Sequence, residues 1–291
     1  MRNASVLLLA FLISCNQTPG IDTAGPQQGT AVSADGVQIA FEVQGQGEPA
    51  LVFVHGWAGY RREWAPQMAH FSGSHRVVAI DLGGHGESGD AREVWSMQTF
   101  GQDVIAVLSH LGITDAILIG HSMGTPVIIE AARQDPERVA ALIPVDMLHN
   151  VEEKYSDEQI GQTVDRYMSR MRNPTRETLA SWLTPKMDSA VVENFVHYCQ
   201  TSAEGHWAAW EGSLREALMW ISRDQTGALS EITVPVVSIN AARPTTDLEM
   251  ARKYLRSFDV KVIEDVGHSI HWEVPDEFNR VLGEVLTQLQ G

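Results

Sequence analysis

An apolar run drives into a serine bracketed by glycines at Ala116-Ile117-Leu118-Ile119-Gly120-His121-Ser122-Met123-Gly124, and helix-forming residues from Thr125 to Arg133 follow at once. This pattern reads as a strand, a sharp turn and a helix, with the serine on the turn. A serine in so tight a turn has a strained backbone that only small neighbours tolerate, which assigns Gly120 and Gly124 to the crossing of two chain segments. The turn lifts the Ser122 hydroxyl above a sheet edge. The helix behind it aims its unbonded first amides at the same spot, where the Met123 N–H can stabilise a developing oxyanion.

The chain has 291 residues, of which 44% are hydrophobic and 20% charged, which suits one large α/β domain or a core with an insertion. Lys and Arg number 21 against 37 Asp and Glu, a net charge of −16 that repels polyanions and argues against nucleic acid as a partner. Met1 to Cys15 reads as an export signal, with Arg2 ahead of a short apolar core from Val6 to Ile13 that cannot span a bilayer. Leu12-Ile13-Ser14-Cys15 resembles a bacterial lipobox, which implies acylation of Cys15 and a membrane-anchored protein. Asn16 after that cysteine favours the outer membrane or cell surface, and residues 16–30, rich in Pro and Gly, read as a flexible tether. With Cys15 lipidated, Cys199 lacks an intramolecular partner and reads as buried filler. The histidines fall in no metal-binding spacing and no cofactor motif is visible, so neither group is expected.

Beyond the tether, strand-like runs at 36–43, 50–54, 76–80, 116–119, 140–145, 234–239 and 260–263 alternate mostly with helical stretches such as Thr99 to Leu111. Continuous β-branched runs separated by helices predict an α/β fold with a mostly parallel central sheet flanked by helices. The alternation breaks over residues 149–231, where charged helical segments predict an inserted helical cap between core segments 31–148 and 232–291. Trp182, Trp207, Trp210 and Trp220 fall in this insertion with Phe195, Met187 and Met219, a set suited to an apolar ceiling or to gluing cap to core.

From about Gly36 to Leu289 the chain resembles the α/β-hydrolase superfamily. The resemblance rests on the serine turn, on His55-Gly56-Trp57 after the third strand, on Asp81-Leu82-Gly83-Gly84-His85-Gly86-Glu87-Ser88 after the fourth, and on Gly267-His268 with Trp272-Glu273 and Pro275 near the end. It implies Ser122 as nucleophile and His268 as its base, with His271 a local rival; His55, His85 and His121 read as structural. Most members carry the acid in a Gly-x-x-Asp turn after the seventh strand, but here Pro244 holds that place. Asp146, at the end of the sixth strand, is therefore the preferred acid and Asp247 the alternative. The backbone N–H groups of Trp57 and Met123 are the expected oxyanion donors.

The resulting expectation is a serine hydrolase that cleaves a carboxylic ester of a small or medium apolar substrate through an acyl-enzyme. The same three residues also suit a lactonase, thioesterase, carbon–carbon bond hydrolase or cofactor-free haloperoxidase, and a non-catalytic carrier of a small ligand is the alternative of another class.

Overall fold

The structure, a computed structural model, describes residues 25–179 and 186–290, apart from the side chains of residues 203 and 204. The predicted export signal, Cys15 and the first part of the tether lie outside the described residues, as does Trp182.

Eight strands form one sheet: β1 (Gln27–Val32), β2 (Gln38–Gln44), β3 (Ala50–Val54), β4 (Val77–Ile80), β5 (Ala116–His121), β6 (Val139–Val145), β7 (Val236–Ala241) and β8 (Phe258–Ile263). Their spatial order is β1-β2-β4-β3-β5-β6-β7-β8, with β1 and β2 antiparallel to their neighbours and the rest parallel. Helices α1 (Ala65–Phe71), α2 (Met97–His110) and α3 (Gly124–Gln134) follow β3, β4 and β5. Then come α4 (Asp157–Arg172), α5 (Ser189–Arg223), α6 (Gln225–Glu231), α7 (Leu248–Ala251), α8 (Ile270–Glu273) and α9 (Pro275–Gln290). The mostly parallel α/β architecture is as the sequence pattern predicts.

The buried strands are apolar on both sides because both faces are covered. Along β3, Ala50, Val52 and Val54 enter the core under α2 and α3, whereas Leu51 and Phe53 enter the core under α1 and α9. Burial of each larger side chain contributes about 1.5–3 kcal/mol. After β3 the chain crosses to β4 on one side and then back over β3 to β5 on the other. That reversal opens a crevice at the strands' carboxyl ends, the place where such sheets hold ligands.

Two predicted boundaries need correction. Residues 27–30 belong to β1 rather than to a tether, since β1 pairs with β2 from Gln27↔Val43 to Val32↔Gln38. Its residues are mostly exposed, so no hydrophobic alternation announced it; backbone pairing forms it. Phe41 lies across it against Gly29, where a β-carbon would stand 2.6 Å from the ring.

The cap also ends earlier than residue 231. Ile160, Val164, Met168 and Met171 form one stripe of α4 and pack on Phe195, Cys199, Trp210 and Leu214 of α5. Further along α5, Ala217 and Trp220 join the main core, as do Ala228 and Leu229 of α6. At 35 residues, α5 is long enough, about 50 Å, to serve both layers.

Candidate active site

Ser122 sits at φ 50°, in the left-handed region, between the last residue of β5 and the first turn of α3. Its backbone N–H donates to Val145 O (3.1 Å) and its carbonyl accepts from Thr125 N (2.9 Å), while the Thr125 hydroxyl reaches back to Gly120 O (2.9 Å). The glycines serve the close approach read from the sequence. A β-carbon on Gly120 would stand 2.4 Å from Gly124 O, and one on Gly124 2.6 Å from Val54 O. The turn is thus wedged against the end of β3 by backbone on backbone.

His268 follows β8 and is anchored beside the serine turn by its own carbonyl, which accepts from His121 Nε2 at 3.0 Å. Its imidazole Nδ1 lies 2.6 Å from Asp146 Oδ2. Asp146, directly after β6 and also left-handed at φ 52°, is buried and receives Ala241 N–H on Oδ1 at 2.8 Å. Burial pushes its carboxyl pKa up, but donors on His149 and His268, the nearby His268 charge and Ala241 N–H together outweigh burial and hold it below the ordinary value. The carboxylate is therefore ionised at neutral pH.

The rival residues lie elsewhere. Asp247 is exposed and caps α7, accepting Met250 N–H at 2.9 Å. His271 is buried beneath Trp64, ring on ring at 4.2 Å, with its Nε2 3.9 Å from Glu63 Oε2. His55 is buried and spends both nitrogens on backbone, Nδ1 on Gly56 O (2.7 Å) and Nε2 on Leu82 N–H (3.0 Å). His85 is buried beside it, with ring centroids 5.1 Å apart. Burial and the neighbouring His268 push His121 down to about 3, so it is a neutral donor bracing the histidine loop.

Gly56 passes directly over the serine: a β-carbon there would stand 2.9 Å from His121 Nδ1 and 3.3 Å from Ser122 Cβ. This brings Trp57, the next residue, to the same end of the site as Met123, which stands at the N-terminus of α3. The Trp57 indole reaches up to the cap, donating to Trp210 O at 2.6 Å.

Ser122, His268, Trp57 and Met123 share one cavity of about 350 Å³. Its apolar wall includes Tyr155, Tyr167, Phe195, Leu218 and Trp272. Of the cap residues singled out in the sequence, Phe195 and Met187 line this cavity. The cap's described tryptophans do not: Trp207 and Trp210 pack edge to face within the cap, and Trp220 donates to Glu130 Oε1 (2.7 Å) in the main core. Indoles at those positions bury larger cores, whereas the wall falls to residues on the helix faces turned to the crevice. No Lys or Arg is among the described lining residues.

Two features were not anticipated. His149 lies 3.3 Å from Asp146 on the side away from His268. Glu63, His121 and His271 gather behind the serine turn with ligand-type atoms within 4.8 Å of one another. One pair in it, His271 Nε2 and Glu63 Oε2, lies 3.9 Å apart. Burial raises the Glu63 carboxyl well above its usual range, which favours the neutral acid, a poor metal ligand.

Residues 51–281 match the alpha/beta hydrolase family. The chain belongs to that family. Across 88% of its length it is 29% identical to 3-oxoadipate enol-lactonase 2 of Acinetobacter baylyi, of which the match covers 95%. It is 41% identical over 102 residues to the dihydrolipoyllysine-residue acetyltransferase component of the acetoin cleaving system of Pseudomonas putida, but that match spans only 28% of the relative. Among solved structures it resembles an esterase of Thermogutta terrifontis, with a TM-score of 0.68 at 24% identity over 91% of this chain and all of that one. That likeness shows the fold alone. Relatives named as an enol-lactonase, a putative esterase/lipase and a non-heme haloperoxidase also match this chain.

Proposed function

We propose that this family member is a serine hydrolase acting on an uncharged carboxylic ester of small or medium size through an acyl-enzyme. The observation that carries the reading is the 2.6 Å contact between His268 Nδ1 and Asp146 Oδ2. An ionised carboxylate fixes the ring tautomer with hydrogen on Nδ1, which leaves Nε2 as the proton acceptor and favours the imidazolium that forms during attack. In this scheme the Ser122 oxygen bonds to the ester carbonyl carbon as its proton passes to His268 Nε2. The tetrahedral oxyanion is held by the Trp57 and Met123 N–H groups, and its collapse expels the alcohol, which takes the proton from His268. Water, deprotonated by the same imidazole, then releases the acid and restores the serine.

The apolar wall and the lack of a cation among its described residues support a neutral substrate. Lactone hydrolysis is a second reading, favoured by the full-length similarity to an enol-lactonase; the chemistry at Ser122 is the same, with alcohol and acid ends joined. The decisive experiment combines a fluorophosphonate probe with hydrolysis of p-nitrophenyl esters. Wild type is expected to be labelled and active, and Ser122→Ala unlabelled and slower by at least about 10⁴-fold. An unlabelled, inactive wild type overturns the proposal.

The export reading extends it: Cys15 carries lipid and tethers the enzyme to a bacterial membrane. Among the described residues no helix is long and apolar enough to cross one. Replacement of Cys15 by Ala is expected to move the protein from the membrane to the soluble fraction.

A further inference from the structure

Asp146 stands between two imidazoles, and the scheme above uses only one. His268 occupies Oδ2 at 2.6 Å, while His149 Nε2 lies 3.3 Å from Oδ1, the oxygen that also accepts Ala241 N–H. That nitrogen is buried and makes no well-aligned hydrogen bond, and the Asp146 carboxylate faces it at 3.3 Å. The approach is long and off the ideal direction for a hydrogen bond, a weak donor contact strengthened by the full charge on the acceptor.

A chain of groups leading away from the site meets the other ring nitrogen of His149. Asn240, on β7, is oriented by Met147, donating to its carbonyl (3.0 Å) and accepting its N–H (3.3 Å). The second hydrogen of the Asn240 amide goes to the Thr246 hydroxyl at 2.8 Å. The Thr246 hydroxyl keeps its own hydrogen to give and lies 3.2 Å from His149 Nδ1. The carboxylate facing Nε2 favours the tautomer with the ring hydrogen there, for which Nδ1 accepts from Thr246. The backbone of the same loop grips His149 as well, since Asp247 N–H donates to its carbonyl at 2.8 Å. The segment after β7, which in most members supplies the acid itself, here braces an acid that comes from β6.

We infer that His149 is a positioning residue: it holds Oδ1 of Asp146 so that Oδ2 stays aimed at His268. This rests on the serine-hydrolase reading. Asp146 leaves the strand in a left-handed conformation, with one backbone N–H on Oδ1, so a second donor on that oxygen resists rotation of the carboxylate about its own axis. Nothing in the role requires His149 to touch substrate.

The test is steady-state hydrolysis of p-nitrophenyl butyrate by the full chain, alongside the labelling rate with a fluorophosphonate and a thermal melt. His149→Ala is expected to lower kcat about tenfold, the size of one weak charge-assisted donor, with KM within about twofold. His149→Gln, whose amide N–H reaches the same oxygen, is expected to recover most of that loss. Thr246→Val, which frees the ring to place its hydrogen on Nδ1, is expected to fall between. Wild-type kcat in His149→Ala, beside an inactive Ser122→Ala, overturns the inference and leaves the serine reading standing. A wild type that is neither active nor labelled overturns both. Should His149→Ala fail to fold, the other two variants decide: a Gln variant without activity, or a Thr246→Val at wild-type kcat, removes His149 from this role.

Discussion

The floor and the ceiling of the cavity are held by different forces. On the floor, Ser122, Asp146 and His268 each follow a strand, and hydrogen bonds of 2.6–3.1 Å to backbone or to one another fix them. In the ceiling, α4 and α5 meet through apolar side chains, with aromatic contacts such as Phe195 on Trp272 (5.2 Å) and Trp57 on Tyr167 (5.7 Å) joining cap to core. Directional bonds allow almost one geometry, whereas apolar packing tolerates exchange of shape at similar volume. Under the proposed function the chemistry is thus built where the geometry is narrowly fixed, and the fit to substrate where packing leaves more freedom.

The sharpest way to break that contrast is to exchange one atom on the floor. Asp146→Asn keeps shape but removes the charge and the tautomer control, and is expected to lower kcat by about 10³–10⁴-fold. Asp247→Asn, at an exposed helix cap, is expected to stay within about twofold in the same assay. The opposite ranking would return the acid to the loop after β7.

The second comparison is thermodynamic. His55, His85, His121 and His271 are buried in the floor, and burial depresses the pKa of each, that of His121 to about 3. The unfolded chain takes up protons on these rings as pH falls below about 6.5, and the folded chain does not. Stability is therefore whole above that pH and lost below it, by up to about 1.4 kcal/mol per pH unit for each ring. Urea unfolding between about pH 7 and pH 5 measures the slope, and His121→Asn is expected to flatten it. An unchanged slope would exclude His121 as a contributor.

The smallest effect is expected in the ceiling. Leu218→Phe adds volume to the cavity wall. It should raise KM for the longest acyl esters by about tenfold, since a pocket discriminates a methylene by roughly 1–3 kcal/mol. The acetate ester should be unaffected, and equal loss across all chain lengths would mean that the wall also shapes the floor.

Much of this was legible in the sequence because it is local. The run from Ala116 to Gly124 dictates a strand, a turn and a helix within a few residues, and the glycines there meet backbone as the pattern requires. Asp146 could be nominated because Pro244 occupies the usual place. Less local features stayed hidden. β1 carries no apolar alternation because only its backbone is needed, and the cap's end was invisible because α5 changes partners without changing periodicity.

By itself the sequence determined the alternation of strands and helices in the core from β2 onward and the serine turn after β5, since periodicity and glycine placement act over a few positions. Only the tertiary structure decided which carboxylate meets His268, which aromatic rings face the cavity, and that His149 approaches Asp146. Asp146 and His268 stand at strand ends far apart in the chain, and a contact across a sheet depends on strand order and register, which no local pattern encodes. His149 is only three residues from Asp146, but its approach depends on the left-handed turn after β6 and on the loop after β7.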